Sequence, residues 1–333
     1  MRLRSGVAID LGTVNTLVSV AGRGLVVEEP SAVAVDRATG RVAAVGHAAD
    51  VLAGKELLDI EVIHPLRDGV VADLEAAATM LQAFLRRARL HRRLLRPLAV
   101  VCVPGGATEV ERRSLAAAVA AMRPRCAVWL IDEAVAAAAG AGFDLAAGSG
   151  AFIVDIGGGT TEVAVLAGGH VVRARSLRLG GNAMDEAIAR AVKAELGLIL
   201  GRDSARRLKM TLGLGEDVAG TGEVAGVDAA SRTPRVEQVP AWLVAAALEQ
   251  PVATIIDSVR ELLSDIPPNL AEDMVRGKIR LAGGGALLPG LASRIETAAG
   301  IPALVVDDPL RCVIRGAAEI LEHGDRLAGT HSA

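Results

Sequence analysis

The chain has no tyrosine, and only three phenylalanines and two tryptophans stand among its 333 residues. This scarcity excludes the aromatic platforms on which single-stranded nucleic acid stacks, and it leaves Ala, Val, Leu, Ile and Gly to build the cores. Cysteine is equally sparse. Cys102, Cys126 and Cys312 lie far apart, without a CxxC pair or neighbouring histidines, which argues against a disulfide framework and against a zinc site. They read as small buried hydrophobes in a reducing compartment. No sign of charge dominates, since 36 Lys and Arg face 39 Asp and Glu for a net charge of -3. Nothing here calls for a polyanion, and no nucleic-acid partner is expected. No apolar run reaches transmembrane length. The first five residues carry two arginines but meet an acidic β-hairpin within ten residues of the start, leaving no room for the apolar core of a signal peptide. The expectation is a cytoplasmic chain of about two domains.

What is present is a repetition. Val7-Ala8-Ile9-Asp10-Leu11-Gly12-Thr13-Val14-Asn15-Thr16-Leu17-Val18 is echoed 145 positions later around Asp155 by Ile153-Val154-Asp155-Ile156-Gly157-Gly158-Gly159-Thr160-Thr161-Glu162-Val163-Ala164. Each copy is an apolar run ending in Asp, a glycine turn furnished with Thr hydroxyls, and a second apolar run. That is the pattern of a hairpin whose tip faces phosphate, and two such tips imply two domains facing one nucleotide.

Strand signals fall at 7–20, 24–27, 32–35, 98–103, 127–131, 151–166, 170–179, 278–281 and 303–306. Apolar spacing near three and four predicts helices over 74–90, 109–122, 133–140, 182–196, 239–263 and 291–299. Their alternation indicates α/β domains. In the helix after Gly180-Gly181, Asn182 is expected as the cap, with Asp185 and Glu186 in the first turn and Met184, Ile188, Val192 and Leu196 on one face. The stretch 213–240 has weak periodicity and reads either as a small meander or as an excursion loop.

At the first tip, Asp10 is placed to hold Mg²⁺ through water, while amides from Gly12 onward and the side chains of Thr13 and Asn15 reach phosphate oxygens. Thr16 is a weaker candidate. Alone, Asp-x-Gly-Thr is equally compatible with an ordinary turn. At the second tip, Gly157, Gly158 and Gly159 let backbone approach an anion without a Cβ, Thr160 and Thr161 add donors, and Asp155 supplies a second carboxylate for the metal. Three glycines in a row weaken a plain hairpin, so the pair of tips favours function. A third cluster, Gly283-Gly284-Gly285-Ala286, links a strand to a helix and offers backbone to a sugar and base, or is simply a tight connection. It is neither a Walker loop nor a GxGxxG fingerprint. Between the tips, Glu133 opens a helix of small residues at the mouth of the cleft and is placed to orient an attacking water. Asp132 beside it reads as favouring the helix N-terminus.

Together these residues resemble the actin-like ATPase superfamily, and within it the MreB/Mbl family of bacterial actin homologues. The likeness is carried by the Asp10 and Asp155 segments, by Glu29-Pro30-Ser31, His64-Pro65-Leu66-Arg67-Asp68-Gly69, Val101-Cys102-Val103-Pro104, Glu111-Arg112-Arg113, Gly180-Gly181 with Met184-Asp185-Glu186, Pro267-Pro268, Gly283 to Leu288, and Asp307-Asp308-Pro309-Leu310. It runs over nearly the whole chain. The resemblance implies an α/β actin-like ATPase fold, with two duplicated α/β domains around a nucleotide cleft. The expected division is 1–143 (small subdomain about 31–63) and 144–323 (small subdomain about 181–250), a C-terminal helix over about 311–323 returning to the first domain, and a tail at 324–333. It implies ATP and Mg²⁺ as cofactors and slow hydrolysis coupled to self-assembly into filaments. It also implies a place on the inner face of the cell membrane, anionic lipid and cell-wall elongation membrane proteins as partners, and a role in cell shape.

The resemblance further implies nucleotide contacts by Thr13, Val14 and Asn15, by Gly158 to Thr160, by Arg206, Arg207, Leu208 and Lys209, and by Gly283 to Ala286, with Glu133, Asp155 and Thr161 taking part in hydrolysis. Two departures stand out. Ala134 and Val135 occupy the place of the family's Pro-Met, and Arg206 replaces an acid expected near the ribose. Arg86, Arg87, Arg89, Arg92, Arg93 and Arg96, interrupted by Leu90, Leu94 and Leu95, fall where the family touches the membrane. There Leu94 and Leu95 inside a rim including Arg92 and Arg93 would insert at an anionic surface, each cation contributing about 1 kcal/mol. The plain alternative is a solvated helix end whose leucines close the core. Rival functions are a sugar- or acetate-type kinase on the same core, for which no substrate pocket with its own base is evident, and a nucleotide-binding scaffold without hydrolysis.

Overall fold

The computed structural model describes residues 6–55, 59–88, 98–122, 127–215 and 220–323. They form two lobes, each built on a five-stranded sheet. The first lobe contains β1 (Gly6–Leu11), β2 (Asn15–Val20), β3 (Gly24–Pro30), β4 (Val33–Asp36), β5 (Val42–Val45), α1 (His47–Asp50), β6 (Ile60–Ile63), β7 (Leu66–Arg67), β8 (Val70–Val71), α2 (Leu74–Arg87), β9 (Leu98–Val103), α3 (Glu109–Met122), β10 (Ala127–Asp132) and α4 (Glu133–Gly140). The second contains β11 (Gly150–Ile156), β12 (Thr161–Ala167), β13 (His170–Leu177), α5 (Gly181–Leu196), β14 (Leu198–Ile199), α6 (Arg202–Leu212), β15 (Thr221–Asp228), β16 (Pro234–Pro240), α7 (Ala241–Ser264), α8 (Ala271–Gly277), β17 (Ile279–Ala282), α9 (Leu291–Ala299) and β18 (Ala303–Val305), after which α10 (Cys312–His323) packs back on α4, β1 and β9 of the first lobe.

The repeat seen in sequence is a repeat of topology. One sheet has the order β10-β9-β1-β2-β3 and the other β13-β12-β11-β17-β18, so each is a three-stranded meander extended by two parallel strands. The register repeats with the same offset: Leu11 pairs with Thr16, and Ile156 with Thr161. Strand alternation sorts each sheet's residues between two cores. Val7, Ile9 and Leu11 face α2 and α3, while Phe152, Val154 and Ile156 face the helices of the second lobe. Ala8 and Leu17 from one sheet, and Ala151, Ile153, Ala164 and Leu166 from the other, meet in a third core filled by α4 and α10. Because both faces are covered, β11 is buried along its whole length, as the near-continuous apolar run around it requires.

Smaller sheets flank the large ones. β5-β4-β6 extends the first lobe, and β14-β15-β16 extends the second. The stretch 213–240 is thus a meander and not an excursion loop where it is described. Its pattern is weak because only Val224 and Val239 of the hairpin are fully buried. Its turn is held by Asp228, whose Oδ1 accepts from the amides of Ala230 and Ser231 at 3.0 and 2.7 Å.

α7 is long and apolar enough to cross a membrane by length and composition alone, although no uninterrupted apolar run of that length exists. Its stripe of Leu243, Val244, Leu248, Val252, Ile255, Val259 and Leu262 is buried in the second lobe's core. Two expectations at α5 are corrected. Asn182 is not its cap, because the helix starts at Gly181 and its first amides are satisfied from elsewhere, and no acid lies in its first turn. Asp185 is instead buried deeper along the helix.

Candidate functional site

The two hairpin tips are built alike and touch. Each is closed by one hydrogen bond, from the Gly12 amide to the Asn15 carbonyl at 3.1 Å and from the Gly157 amide to the Thr160 carbonyl at 2.9 Å. Glycine at the second tip answers to close approach. A Cβ on Gly158 would stand 2.2 Å from Val14 Cγ2, and one on Gly159 would stand 2.7 Å from Thr13 Oγ1 and 3.0 Å from Asp68 Cα. The Asp68-Gly69 turn joining β7 to β8, with φ of 49° and 78°, lies over both tips, and its Gly69 amide donates to Thr13 Oγ1 at 3.1 Å. Thr16 and Thr161 are buried and engaged: Thr16 Oγ1 lies 2.8 Å from Ser31 Oγ, and Thr161 Oγ1 donates to the Leu179 carbonyl at 2.7 Å. Both brace their tips.

Period two carries Asp10 onto the face of Ala8 and Asp155 onto the face of Ile153, so both carboxylates point between the sheets. Glu133, the first residue of α4, is buried at the same place. Burial and the charge of Asp155 push Asp10 up to about 7, and burial pushes Asp155 to about 6. Glu133 is raised well above the usual carboxylate range by burial, then by Asp10, Asp155 and Glu162. Burial raises the Cys102 thiol, and the next contributions come from Asp10, Glu133 and Asp155, which surround it. Asp155 Oδ1 is buried with no hydrogen-bond partner among the described residues. Crowded acids with an unpartnered oxygen repel one another, and a cation brought among them would relieve that repulsion. Asp132 turns away, pairing with Arg112 at 2.7 Å and capping nothing with its side chain.

The glycine segment at 283 closes on the same acids. Gly283 has φ 76°, and a Cβ there would stand 2.5 Å from Asp155 Oδ1 and 2.4 Å from the Ile156 carbonyl oxygen. α5 docks its first amides on the second tip, Gly181 donating to the Gly157 carbonyl at 3.0 Å and Asn182 to that of Gly158 at 2.8 Å. Lys209 on α6 anchors this arrangement. Its Nζ donates to the Gly181 carbonyl at 2.8 Å and stands 2.7 Å from Asp185 Oδ1.

A model of the MreB/Mbl protein family matches residues 4–329 of this chain. The chain belongs to the MreB/Mbl family. The cell shape-determining protein MreB of Escherichia coli (strain K12) is 41% identical over 330 residues, covering 97% of this chain and 94% of that protein. The cell shape-determining protein Mbl of Bacillus subtilis (strain 168) is 35% identical over 323 residues, covering 96% and 97%. The solved structure of MreB5 of Spiroplasma citri bound to ADP superposes with a TM-score of 0.90 at 33% identity, covering 97% of each chain. The MamK double helical filament matches at a TM-score of 0.81, covering 96% of this chain and 99% of that one, and at 23% identity shows the shared fold alone. As an MreB/Mbl family member, the chain is a bacterial actin-like cytoskeletal protein.

Within this MreB/Mbl chain the expected nucleotide residues divide. Asp10, Gly12, Thr13, Val14, Asn15, Gly157, Gly158, Gly159, Thr160, Asp155 and Gly283 are brought together by the touching tips and the backbone that closes on them. Of the α6 group, Arg206 Nε lies 3.7 Å from Asp185 Oδ2, Arg207 is exposed and bonded to Ser204 Oγ at 3.2 Å, and the Leu208 side chain is sealed in the second lobe's core. Gly285 and Ala286 are buried, and a Cβ on Gly285 would meet Ile156. Arg92, Arg93, Leu94 and Leu95 lie outside the described residues. Of the same basic run, Arg87 is described, and it pairs with Glu29 at 3.0 Å.

Sequence reasoning missed Glu162, which joins the acidic group and is pushed to about 7, chiefly by burial. The signal was available: one charge inside the run Thr161-Glu162-Val163-Ala164-Val165. Because Asp10, Asp155 and Glu162 bind protons more tightly folded than unfolded, the stability their protonated forms confer is complete below the unfolded pKa near 4. It is lost as pH rises through 6 to 7. Cation-free protein is therefore expected to melt lower at about pH 8 than at about pH 5.5, and magnesium with nucleotide to narrow the gap, as read by scanning calorimetry.

Proposed function

We propose that this chain binds ATP with Mg²⁺ between its lobes, hydrolyses it slowly and assembles with copies of itself into filaments. On this reading the filaments lie on the inner face of the membrane and organise cell-wall synthesis and cell shape. The observation that carries the reading is the meeting of Asp10, Asp155 and Glu133 beside two glycine tips that touch across the lobes. Amides at 13–15 and 158–160 take the phosphates, while those of Gly12 and Gly157 close the tips. Gly283 to Ala286, with Arg206 and Lys209, border the sugar and base. Asp10 and Asp155 hold the metal through water, as suits an ion that keeps most of its hydration. Among the described residues no three His, Cys, Asp or Glu side chains are arranged to ligate a metal ion directly. Magnesium, when bound with ATP, supplies charge to neutralise the oxygens of the transferred phosphoryl group.

Glu133 orients the attacking water. It is buried at the start of a rigid helix, which holds its carboxyl in place without needing to move. Thr161 keeps the second tip in shape through Leu179. The division of the chain near 143, with small subdomains over about 31–63 and 181–250, belongs to the same reading. Partners at the membrane are anionic lipid, met by the basic run around Arg92 to Leu95, and membrane proteins of cell-wall elongation. The family match over residues 4–329 speaks against the kinase alternative.

Purified protein with ATP and Mg²⁺, sedimented with anionic liposomes and viewed by electron microscopy, should give membrane-bound filaments and slow phosphate release. Soluble monomers that phosphorylate a sugar would overturn the reading, and filaments without phosphate release would reduce it to a scaffold. Glu133→Gln is expected to slow phosphate release by about 100-fold while ATP still binds, as measured by single-turnover assay and equilibrium dialysis.

A further inference from the structure

Glu162 is the buried carboxyl that the proposed nucleotide contacts leave unused. It is 1% exposed, in the interior of β12. Its register partner on β11 is Asp155 and on β13 is Ser176, so the three side chains share one face in a row across the second lobe's sheet. The Ser176 hydroxyl donates to Oε1. Oε2 is buried and faces the Gly105 backbone, whose amide favours the charged carboxyl without making a well-aligned hydrogen bond.

What faces this row belongs to the other lobe. A Cβ on Gly105 would stand 3.1 Å from Glu162 Oε2, and one on Gly106 would stand 2.7 Å from Ser176 Cβ and 2.8 Å from its Oγ. Neither glycine has positive φ, so what these positions require is space. The segment continues into α3 through a capping box, the Thr108 amide donating to Glu111 Oε2 at 2.6 Å and the Glu111 amide to Thr108 Oγ1 at 3.3 Å. Glu111 Oε1 then pairs with Arg178, just beyond β13, at 3.3 Å. The first lobe's loop therefore sits on the second lobe at two points, one of them buried beside the acids of the cleft.

We propose that Glu162 and Ser176 form a latch for the Gly105-Gly106 loop, through which occupancy of the cleft at Asp155 sets how closely the two lobes seat. Glu162 acts as a positioning residue. Charge brought to Asp155 acts on its cross-strand neighbour, roughly 5 Å away between Cβ atoms, and that neighbour is the group against which the other lobe's backbone rests. The inference rests on the nucleotide reading above.

The test uses the full chain. In the parent, ATP with Mg²⁺ should slow hydrogen exchange of the amides at 105–108 by about tenfold, a usual size for coupling between two sites. In Glu162→Gln, which keeps the shape, that gain should vanish while ATP still binds. Gly106→Ala, whose Cβ would meet Ser176, should raise the critical concentration for assembly by about tenfold. An unchanged exchange gain in Glu162→Gln, or a folded Gly106→Ala variant that assembles like the parent, overturns the latch. Should Gly106→Ala fail to fold, the isosteric Glu162→Gln decides. If equilibrium dialysis finds no ATP bound to the parent, the nucleotide reading has failed. The latch is then judged on nucleotide-free exchange at 105–108, which Gly106→Ala must speed.

Discussion

Gly316→Ala is expected to destabilise the protein by about 3 kcal/mol or more, at the upper end for overpacking. α4 and α10 cross at two glycines. A Cβ on Gly316 would stand 1.9 Å from the Ala136 carbonyl oxygen and 2.5 Å from the Gly140 amide nitrogen, and one on Gly140 would stand 1.9 Å from the Cys312 carbonyl oxygen. All of these are backbone atoms of rigid helices, so no rotamer change relieves the clash and the helices must separate. Separation would break the Arg315 hydrogen bond to the Gly140 carbonyl at 2.6 Å and open the core that both sheets share. At roughly 1.4 °C per kcal/mol for a chain of 333 residues, the midpoint of thermal unfolding should fall by about 4 °C or more. Glu319→Ala, exposed on the same helix, should stay within about 0.5 kcal/mol. If the two variants melted alike, the crossing would be looser than its geometry states.

The repeated hairpins were legible because everything they need is local. An apolar run, an Asp at its end and a glycine turn specify strand, tip and carboxylate direction within a dozen residues, and the structure repeats them down to the closing hydrogen bond. Long helices with an apolar stripe, such as α2 and α7, were legible for the same reason. What escaped depends on partners far away in sequence. The helix at 133–140 was evident, but nothing in its alanines names α10, some 175 residues on, as the element it crosses. Asn182 looked like a cap because the carbonyls of Gly157 and Gly158 that serve its helix come from another hairpin. β15 and β16 lacked a pattern because a strand pair with few buried side chains has little to alternate. At the site, the acids at 10, 133 and 155 could be named one by one. Their mutual repulsion, and the addition of Glu162, follow only once two sheets face each other.

Lys209→Ala should cost about 3 kcal/mol, since removing one member of a buried pair leaves the other charge without compensation. Asp185 is 3% exposed and Lys209 6%. The Asp185 oxygens make no well-aligned hydrogen bond, so the pair is held by charge at 2.7 Å while Nζ directs a donor at the Gly181 carbonyl. Arg206, with Nε 3.7 Å from the other Asp185 oxygen, offsets part of the loss, which keeps the expectation near the lower end for buried pairs. Replacing both partners by apolar residues, Lys209→Met with Asp185→Leu, should recover much of the stability. It should not recover nucleotide affinity. The same lysine ties α6 to the start of α5, whose first amides hold the carbonyls of Gly157 and Gly158, so the shape of the second tip depends on a donor at position 209 that methionine lacks. Denaturant midpoints and ATP titrations on the single and double variants separate the two roles. A double variant that regained stability and bound ATP like the parent would show that the tip keeps its shape without Lys209.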